Sequence, residues 1–419
     1  MNKLALHGGE KAKPTPYTTG KRFGAEELQQ VAEALEQDSL FYWFGKKVRQ
    51  FCDKFAAMYG VDHCVATSSG TAAIHTALGA AGITAGDEVI TSPITDMGSV
   101  IGILYQNAIP VFADVNPYTY NMAPESIEAN ITGSTKAILV VHLAGNPADM
   151  DEIMRIADKY GLTVIEDCAQ AYMTYYKGRL VGTIGHIGCF SLNDFKHITA
   201  GDGGMCIMND ETLYHKALRF ADKNYSRISV NGVIDRDISS VAPNYRMNEL
   251  TGAVAIAQLD RVEWICERRR IYGDGLTARL RNIPGIMPPL VKDGNASSYW
   301  FYLFRVDEAE LHVDTDTFIA ALQAEGVPCQ RGYIPACVYE YGLFQNRSAF
   351  PNTHAPFDSP YCRISRSYPT GLCPAAEDVL RSTVRIPVSE FYSEEDLQQT
   401  VNAIEKVAAW YAQNATKQL

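Results

Sequence analysis

Short apolar runs alternate with amphipathic stretches between about residue 60 and residue 210. Several runs are apolar at consecutive positions, which is typical of strands in a parallel sheet covered by helices on both faces. The predicted strands are Glu88–Ser92, Pro110–Asp114, Ala137–His142, Thr163–Asp167, Gly188–Leu192 and Gly204–Met208. Between them, Ser126–Ile131 and Met150–Tyr160 are predicted helices. The alternation indicates an open, doubly wound α/β sheet, which binds ligands beyond the carboxyl ends of its strands.

The pattern changes in the last third of the chain. A helical stretch from Asn248 to about Leu280 is followed by Ile283-Pro284-Gly285, which breaks the helix. The elements predicted beyond it are strands Tyr299–Val306 and Val327–Tyr333 and helices Asp314–Glu325 and Ser393–Ala412. The segment between Tyr339 and Pro374 has little periodicity and is predicted to be a long loop, a kind of segment that is often functional. We predict a large domain at 1–255 and a small α+β domain, with the linking helix, at 256–419.

Composition and charge exclude several classes of protein. The 419 residues are 47% hydrophobic and 20% charged, as in an ordinary folded protein. The net charge is −11, whereas a protein that binds a phosphate backbone needs a basic surface, so we expect no nucleic-acid partner. The ten cysteines include no CxxC pair, which argues against a disulfide framework and against a zinc site. We predict no metal.

No apolar run reaches the roughly 18 residues that a membrane span requires. The longest candidate, Ala137–Ala144, is interrupted by His142 and is predicted to be a buried strand. The N-terminal stretch Met1–Pro14 lacks the apolar core and the small-residue cleavage site of a signal peptide. We therefore expect a cytoplasmic protein without a membrane partner.

The first stretch with candidate chemistry is Thr67–Ala73 (TSSGTAA), which leads from a strand-like run into a helix. Small residues at a helix N-terminus let unpaired backbone N–H groups approach a phosphate, and the helix dipole favours the anion. A plain N-cap is the alternative interpretation of this stretch.

The second stretch is Val164–Gln170 (VIEDCAQ), in which an acidic pair ends an apolar run at the expected carboxyl edge of the sheet. A carboxylate there can form a charge-assisted hydrogen bond with a protonated ring nitrogen, the partner that a pyridinium electron sink needs. The alternative is an aspartate that caps the following loop.

The third stretch is Phe190–Gly204 (FSLNDFKHITAGDGG), in which Lys196 follows an apolar strand and precedes a glycine-rich turn. Such a lysine is poorly explained as a solvated surface charge. Near a cofactor aldehyde it forms a Schiff base if burial and its neighbours lower its pKa. A structural lysine is the alternative.

These features occur in the order phosphate cup, carboxylate, lysine, and here the chain resembles the DegT/StrS-type sugar aminotransferases, pyridoxal 5′-phosphate (PLP) enzymes of fold type I. The resemblance runs from Tyr42–Gly60 to the terminal helix. Its motifs are GDEVITSPIT, PVFADVNPYTYNM, VHLAG, VIEDCAQA, FSLNDFKHITAGDGG and NYRMNELTGAVAIAQLD. It implies an α/β fold: a large domain with a mixed, mostly parallel sheet flanked by helices, and a smaller α+β C-terminal domain.

The resemblance also implies roles for single residues. Lys196 matches the Schiff-base lysine, which also moves the proton between substrate and cofactor. Asp167 matches the carboxylate that keeps the pyridine nitrogen protonated, and Gln170 matches the residue beside the phenolic oxygen. Gly70 and Thr71 resemble the residues whose backbone N–H groups hold the phosphate.

Further cofactor contacts are implied for Ser69, which precedes these two, and for the hydroxyl of Ser191. Asn244 resembles an asparagine that reaches the phosphate from the neighbouring subunit, so the resemblance implies a homodimer with shared active sites. The candidate substrate contacts are His142, Tyr245, Arg246, Arg331 and Tyr333.

The chain departs from the family pattern in three places. Asp96 stands where an aromatic residue usually stacks on the cofactor ring; either a neighbour such as Met97 covers the ring or Asp96 faces the amino substrate, and we favour ring packing by another residue. Asp202 replaces a common glutamate. Gly332 replaces a frequent histidine, and Arg331 is the candidate that supplies the polar contact instead.

The reaction implied is transfer of an amino group from glutamate or glutamine to a keto-sugar, a nucleotide-sugar or a cyclitol ketone. The dehydratase branch of the family replaces the lysine with histidine, whereas here Lys196 is present and His197 is adjacent. Relatives that keep the lysine and form amino-aromatics, as in aminohydroxybenzoate synthesis, leave an aromatising activity open. The segment Tyr339–Pro374 and the Asn-Tyr-Arg-Met motif resemble the cyclitol and aminohydroxybenzoate branches. A non-catalytic PLP-binding protein is disfavoured, because the lysine and the carboxylate are both kept.

Overall fold

The computed structural model describes residues 3–227, 229–230, 233–234, 238 and 240–414. The strands, in chain order, are β1 His63–Thr67, β2 Glu88–Thr91, β3 Ile109–Phe112, β4 Thr135–Val141, β5 Thr163–Asp167, β6 Tyr175–Tyr176, β7 Arg179–Leu180, β8 Ile187–Ser191, β9 Gly204–Met208, β10 Ser229–Val230, β11 Val233–Ile234, β12 Ile286–Met287, β13 Phe301–Val306, β14 Gln330–Arg331 and β15 Thr383–Pro387.

The α-helices are α1 Ala25–Leu35, α2 Lys47–Tyr59, α3 Gly70–Ala80, α4 Met97–Tyr105, α5 Pro124–Ala129, α6 Met150–Tyr160, α7 Glu211–Ala221, α8 Glu249–Leu259, α9 Val262–Leu280, α10 Glu308–Leu311, α11 Thr315–Ala324, α12 Gly342–Gln345, α13 Pro374–Ser382 and α14 Glu394–Asn414. Short 3-10 helices lie at Ala5–His7, Leu143–Gly145 and Val338–Glu340. Among the described residues, none of these helices combines the length and the apolar character that crossing a bilayer requires.

The large sheet has the strand order β1-β9-β8-β5-β4-β2-β3. Its neighbours pair in parallel from β8 to β3, whereas β9 is antiparallel to both β1 and β8. The strands between β8 and β3 are buried at nearly every position, as their apolar runs predicted. The predicted mixed, mostly parallel α/β fold is confirmed, and the carboxyl ends of β1, β2, β5 and β8 meet at one edge of the sheet.

The predicted helix from Asn248 to Leu280 is two helices. The first ends at Leu259 and packs on α1 and α2, whereas the second starts at Val262 and packs on α14. The helix ends between Leu259 and Val262 because α8 and α9 pack against different elements, although the periodicity of the apolar residues would continue it. The buried core around the large sheet extends to Cys266 and the core of the small sheet starts again at Tyr272, both on α9. The domain boundary at residue 255 stays a prediction.

The small sheet is antiparallel, in the order β12-β13-β15-β14. The predicted strand Val327–Tyr333 is mostly wrong, because only Gln330–Arg331 pairs with β15. Pro328 has no N–H to donate to a ladder, and Gly332 has a φ of 53°, outside the range of a strand.

The predicted loop Tyr339–Pro374 has little regular structure, as expected. It covers the outer strand of the large sheet, since Tyr368 donates to the Pro110 carbonyl at 2.8 Å and Arg366 pairs with Glu88 at 2.7 Å. Covering an edge strand protects its unpaired backbone groups.

Candidate active site

A cavity of about 290 Å³ opens at the carboxyl edge of the large sheet. It is close to the lower end of the volumes typical of ligand pockets, about 300 Å³. The predicted site residues that line it are Ser69, Gly70, Thr71, Asp96, Asp167, Gln170, Ser191, Lys196 and Tyr333. The structure therefore brings together residues that lie as far apart in sequence as Ser69 and Tyr333.

One end of the cavity is the start of α3. The side chain of Ser69 caps the helix by accepting from the Ala72 amide at 3.0 Å. Within the described residues, the amides of Gly70 and Thr71 have no acceptor, as expected in the first turn of a helix. A Cβ at Gly70 would lie 2.6 Å from the Cβ of Ser191, so only glycine allows this close approach. Two free amides beside a hydroxyl form a site for a phosphate.

Asp167 ends β5 inside the cavity and is 5% exposed. One of its oxygens accepts from the Ser99 hydroxyl at 2.6 Å, and the other accepts from the Ala169 amide at 3.0 Å. Thr95 lies 2.6 Å from the same serine hydroxyl. Burial raises the pKa of Asp167, and the bonds from Ser99 and Ala169 oppose that rise. The carboxyl group is held in one orientation, and among the described residues Lys196 attracts it without forming a hydrogen bond to it.

Lys196 projects into the cavity from the turn after β8. It is 9% exposed, and its Nζ lies 3.8 Å from the centre of the Trp300 ring. Burial lowers the pKa of Lys196 to about 8, against the opposing attraction of Asp167 and Asp96. An amine with this pKa is neutral in a substantial fraction of molecules near neutral pH, as a nucleophile or proton carrier must be.

Gln170 and the small domain form the remaining wall. The amide oxygen of Gln170 accepts from the Ala144 N–H at 2.8 Å, which leaves its NH₂ group for the cavity. Trp300 is fixed by the bond from its Nε1 to the Phe195 carbonyl at 2.7 Å. Tyr333 packs against Trp300, with ring centres 5.7 Å apart. The wall thus consists of rigid aromatic rings and one amide.

Asp96 lines the cavity and also caps α4, because its carboxylate accepts from the Gly98 amide at 2.8 Å. Met97, the neighbour considered as a cover for the cofactor ring, packs with the core cluster around Ile94 and is absent from the cavity lining. The position of Met97 gives no support to packing on the ring, and the aromatic residues that line the cavity are Phe195, Trp300 and Tyr333.

Three predicted residues after α7 lie outside this cavity. Asn244 is exposed and bridges to Asp222, the Tyr245 hydroxyl bonds to His75 at 2.9 Å, and Arg246 pairs with Asp222 at 2.7 Å. Within one chain none of the three reaches Lys196.

His142 and Arg331 also lie away from the cavity. His142 is fully buried, and its two ring nitrogens bond to Glu166 at 3.0 Å and to the Ala148 amide at 3.1 Å. Arg331 is exposed and pairs with Asp316. Their positions support structural roles and give no support to the predicted substrate contacts.

The site residues that the sequence analysis missed include Ser99 and Trp300. Ser99 lies in an apolar helix without a motif around it, and only its contact with Asp167 makes it part of the site. Trp300 lies at the start of a predicted strand, where an aromatic residue is typical of packing. Neither position carried a signal that differs from that of an ordinary core residue.

The residues present fit PLP. The free amides of Gly70 and Thr71 with the Ser191 hydroxyl suit its phosphate, the buried carboxyl of Asp167 suits its ring nitrogen, and Lys196 suits its aldehyde end. The doubly wound sheet and this donor set define a PLP enzyme of fold type I.

Residues 21–362 match the DegT/DnrJ/EryC1/StrS aminotransferase family, and the chain belongs to this family of PLP enzymes. It is 34% identical over 392 residues to the spore coat polysaccharide biosynthesis protein SpsC of Bacillus subtilis, with 92% of this chain and 95% of that protein covered. It is 36% identical over 331 residues to a putative L-glutamine:3-amino-2,3-dideoxy-scyllo-inosose aminotransferase of Streptoalloteichus tenebrarius, with 78% and 79% covered.

Among solved structures, the aminotransferase from Psychrobacter cryohalolentis superposes with a TM-score of 0.81 at 32% identity, covering 94% of this chain and 99% of that one. The predicted family, fold, cofactor and enzyme class are confirmed.

Proposed function

We propose that this aminotransferase moves an amino group from L-glutamine or L-glutamate to the ketone of a sugar or cyclitol in amino-sugar biosynthesis. The observation that carries the proposal is the buried amine of Lys196, which shares one cavity with the carboxyl of Asp167 and the free amides of α3. The relative named as a putative L-glutamine:3-amino-2,3-dideoxy-scyllo-inosose aminotransferase supports this donor and this acceptor class.

Lys196 takes the proton from the carbon of the donor that bears the amino group. In the second half of the reaction it gives a proton to the carbon of the acceptor that receives the amino group. Its pKa of about 8 suits both directions, because the amine accepts and releases a proton at little cost near neutral pH. PLP, when bound, supplies an electron sink for the negative charge that develops on that carbon. Asp167 stabilises a positive charge on the ring nitrogen, and Ser99 fixes the orientation of that carboxylate.

The remaining residues position the reactants. Gly70 and Thr71 bind a phosphate through their amides, with the hydroxyl of Ser191 beside them, while Ser69 keeps the helix start in place. Gln170 lines the cavity, and the bond from the Ala144 N–H to its amide oxygen fixes its side chain there. Tyr333 and Trp300 keep water from one side of the cavity.

The assembly proposed is a homodimer in which Asn244 reaches the phosphate of the partner subunit's site. Its exposure, and its position outside the cavity of its own chain, support this role. Tyr245 and Arg246 belong to the same surface and are proposed as contacts between subunits. The cytoplasmic location stays a prediction.

A dehydrating or aromatising reaction is the second function considered. The histidine that follows the lysine gives it no support, because His197 is fully buried and bonds to the Ser298 carbonyl at 3.1 Å instead of lining the cavity. Transamination is the function that the geometry favours.

The test is the visible spectrum of the purified protein loaded with PLP, followed while L-glutamine and then L-glutamate are added. The expected result is a yellow protein that either donor bleaches, with release of one equivalent of 2-oxo acid. Lys196→Ala is expected to lose the yellow band, while Lys177→Ala, at an exposed lysine paired with Asp151, keeps it. A wild-type protein that stays yellow with both donors would contradict the proposed function.

A further inference from the structure

The turn between β8 and β9, which carries Lys196, is held from outside through its backbone carbonyls. The carbonyls of residues 194–197 all accept from side chains that belong to other parts of the chain. Trp300 donates to the second of these carbonyls at 2.7 Å. Arg22, in the segment before α1, donates to the other three, at 2.6 Å for Lys196 and at 3.3 Å for His197. One side chain therefore bonds to the lysine residue and to residues on both sides of it.

The guanidinium of Arg22 is suited to fix these carbonyls relative to one another. Its Nη1 donates to Asp194, and its Nη2 is shared between Lys196 and His197. The group is planar and rigid, so its donors keep fixed directions. Within the turn, the amide of Lys196 donates to the Asn193 carbonyl at 2.9 Å. Because the peptide units before and after Lys196 are both held, the direction in which its side chain leaves the backbone is set.

Arg22 is itself anchored at the end of α8. Its carbonyl accepts from Gln258 at 2.7 Å and from Arg261 at 3.0 Å. Both donors also bond to the buried carboxylate of Glu27. The amide oxygen of Gln258 accepts from the Thr199 N–H at 3.3 Å, further along the turn that carries the lysine. The backbone of Arg22 and the turn therefore rest on the same support.

The guanidinium of Arg22 is half-buried, and burial lowers its pKa against the attraction of Glu390. Among the described residues it bonds to backbone carbonyls and forms no ion pair. A desolvated charge without a counter-charge costs free energy, whereas neutral donors or water can satisfy the carbonyls of an ordinary turn. The costly donor surrounds the turn that carries Lys196, which favours a role in the reaction over a role in stability alone.

We propose that Arg22 is a positioning residue for the reaction, which holds the turn so that the amine of Lys196 meets the aldehyde carbon of PLP. Among the described residues that line the cavity, Arg22 is absent, so it acts through Lys196 and not through contact with the reactants. This inference rests on the role proposed for Lys196. A misplacement of about 1 Å can slow a reaction about 100-fold, so a fixed turn matters for the rate.

The first test is the rate at which PLP attaches to the full-length, cofactor-free protein, followed by stopped-flow absorbance across the pH range. In this step the nitrogen of Lys196 bonds to the aldehyde carbon, and the aldehyde oxygen leaves as water. Arg22→Ala is expected to lower the plateau rate at high pH about 10- to 100-fold. The pH at the middle of the rise should stay at the wild-type value, because the variant changes the position of the amine and not its pKa.

Two further variants sharpen this test. Arg22→Lys keeps the charge but loses the planar fork, so its plateau rate is expected to lie between those of Arg22→Ala and wild type. Lys21→Ala is the matched control, since it removes an exposed cation from the neighbouring position of the same segment. This control should attach PLP at the wild-type rate.

The second test is the affinity for pyridoxamine 5′-phosphate, which carries an amine in place of the aldehyde and forms no bond with Lys196. Arg22→Ala should bind this compound within about twofold of wild type, because the amides of Gly70 and Thr71 lie apart from the turn. An arginine that supported only the fold would change this affinity and the attachment rate by similar factors. Equilibrium titration measures the affinity.

Several results would overturn the inference. They are an Arg22→Ala protein that attaches PLP as fast as wild type, a shifted midpoint in its pH profile, or a loss of pyridoxamine phosphate affinity that equals the loss of rate. If Arg22→Ala does not fold, Arg22→Lys decides, and a wild-type plateau rate in that variant would overturn the inference. A wild type that attaches no PLP would remove the proposed role of Lys196 and this inference with it, whereas equal rates in wild type and Arg22→Ala would remove the inference alone.

Discussion

Glu166 and Asp167 are neighbours at the end of β5, and they face opposite sides of the sheet. Glu166 is fully buried behind the sheet and accepts from His142 at 3.0 Å and from the amides of Gly182, Ile184 and Gly185 at 2.6 to 2.8 Å. Burial alone would raise its pKa, but these bonds lower it below the ordinary value.

Asp167 faces the cavity and has a different environment. It accepts two bonds, burial dominates, and its pKa is raised. The carboxylate behind the sheet accepts from four donors, whereas the one in front accepts from two and, within the described residues, is attracted by Lys196 without a hydrogen bond to it. The comparison teaches that the group left electrostatically incomplete is the one available for chemistry.

The same contrast separates Lys196 from His197. The lysine amine enters the cavity with a pKa of about 8, and the histidine turns into the core towards Ser298. Two pairs of adjacent residues therefore divide into a front set for the reaction, Asp167 and Lys196, and a back set for the fold, Glu166 and His197.

The largest expected effect is the pH dependence of the rate at which the amine of Lys196 reacts with PLP. We expect the rate at which PLP attaches to the cofactor-free protein to rise about tenfold per pH unit up to pH 8 and then to level off, because only the neutral amine reacts. Stopped-flow absorbance between pH 6 and pH 10 measures it, with Lys196→Ala as the blank. A rate that keeps rising towards the ordinary lysine value of 10.5 would show that burial does not tune this lysine.

The next effect concerns cofactor affinity. Asp167→Asn removes a charge-assisted bond and is expected to weaken PLP binding about 10- to 100-fold. Glu166→Gln, the matched change on the back of the sheet, is expected to leave the affinity within about twofold once the protein is folded. Equilibrium titration of the cofactor-free proteins with PLP measures both. Equal losses of PLP affinity in the two variants would contradict the assignment of Asp167 to the reaction and of Glu166 to the fold.

The free energy of unfolding should be lowered more by Glu166→Gln than by Asp167→Asn, the reverse of the order expected for PLP affinity. Glu166→Gln leaves amides without a full acceptor and is expected to cost about 1–3 kcal/mol in urea unfolding, whereas Asp167→Asn, which removes a desolvated carboxyl, costs less in the cofactor-free protein. Because the folded-state pKa of Glu166 is lowered, its contribution is complete above the ordinary value of 4.5 and is lost as pH falls through the lower folded value. The gap between wild type and Glu166→Gln should therefore shrink in acid, and a gap that widens would contradict this assignment.

The smallest effect is expected at Ser99. Ser99→Ala removes one bond to Asp167 and should weaken PLP binding about twofold to tenfold, corresponding to roughly 0.5–1.5 kcal/mol. Thr95→Val leaves that bond in place and should have a smaller effect. If Thr95→Val weakens binding more than Ser99→Ala does, the serine does not hold the carboxylate.

Much of the front set could be predicted because it follows short, contiguous motifs. Asp167 ends one apolar strand and Lys196 lies in the turn after another, so periodicity placed them at the same edge of one sheet. Trp300 could not be found in this way, because only tertiary packing brings it to the site. Its bonding partner there, Phe195, lies 105 positions away in the sequence. Ser99 likewise acquires its role from a bond across 68 positions.

The positions of the strands were predicted best in the large sheet, where apolar strands alternate regularly with helices. The strands of the large sheet are apolar on both faces and lie between helices, whereas β15 is a five-residue strand directly after α13, where no turn signal separates the two. The break before α9 depends on which partners each helix packs against, and a single sequence does not contain that information.

The most direct test of the front and back assignment is the rate at which L-glutamine bleaches PLP-loaded wild type, Asp167→Asn and Glu166→Gln at one pH and at saturating cofactor. We predict that Asp167→Asn is slower than wild type by at least about tenfold and that Glu166→Gln stays close to wild type. A slow Glu166→Gln beside a normal Asp167→Asn would contradict the account, because the carboxylate behind the sheet would then be the one that supports the reaction.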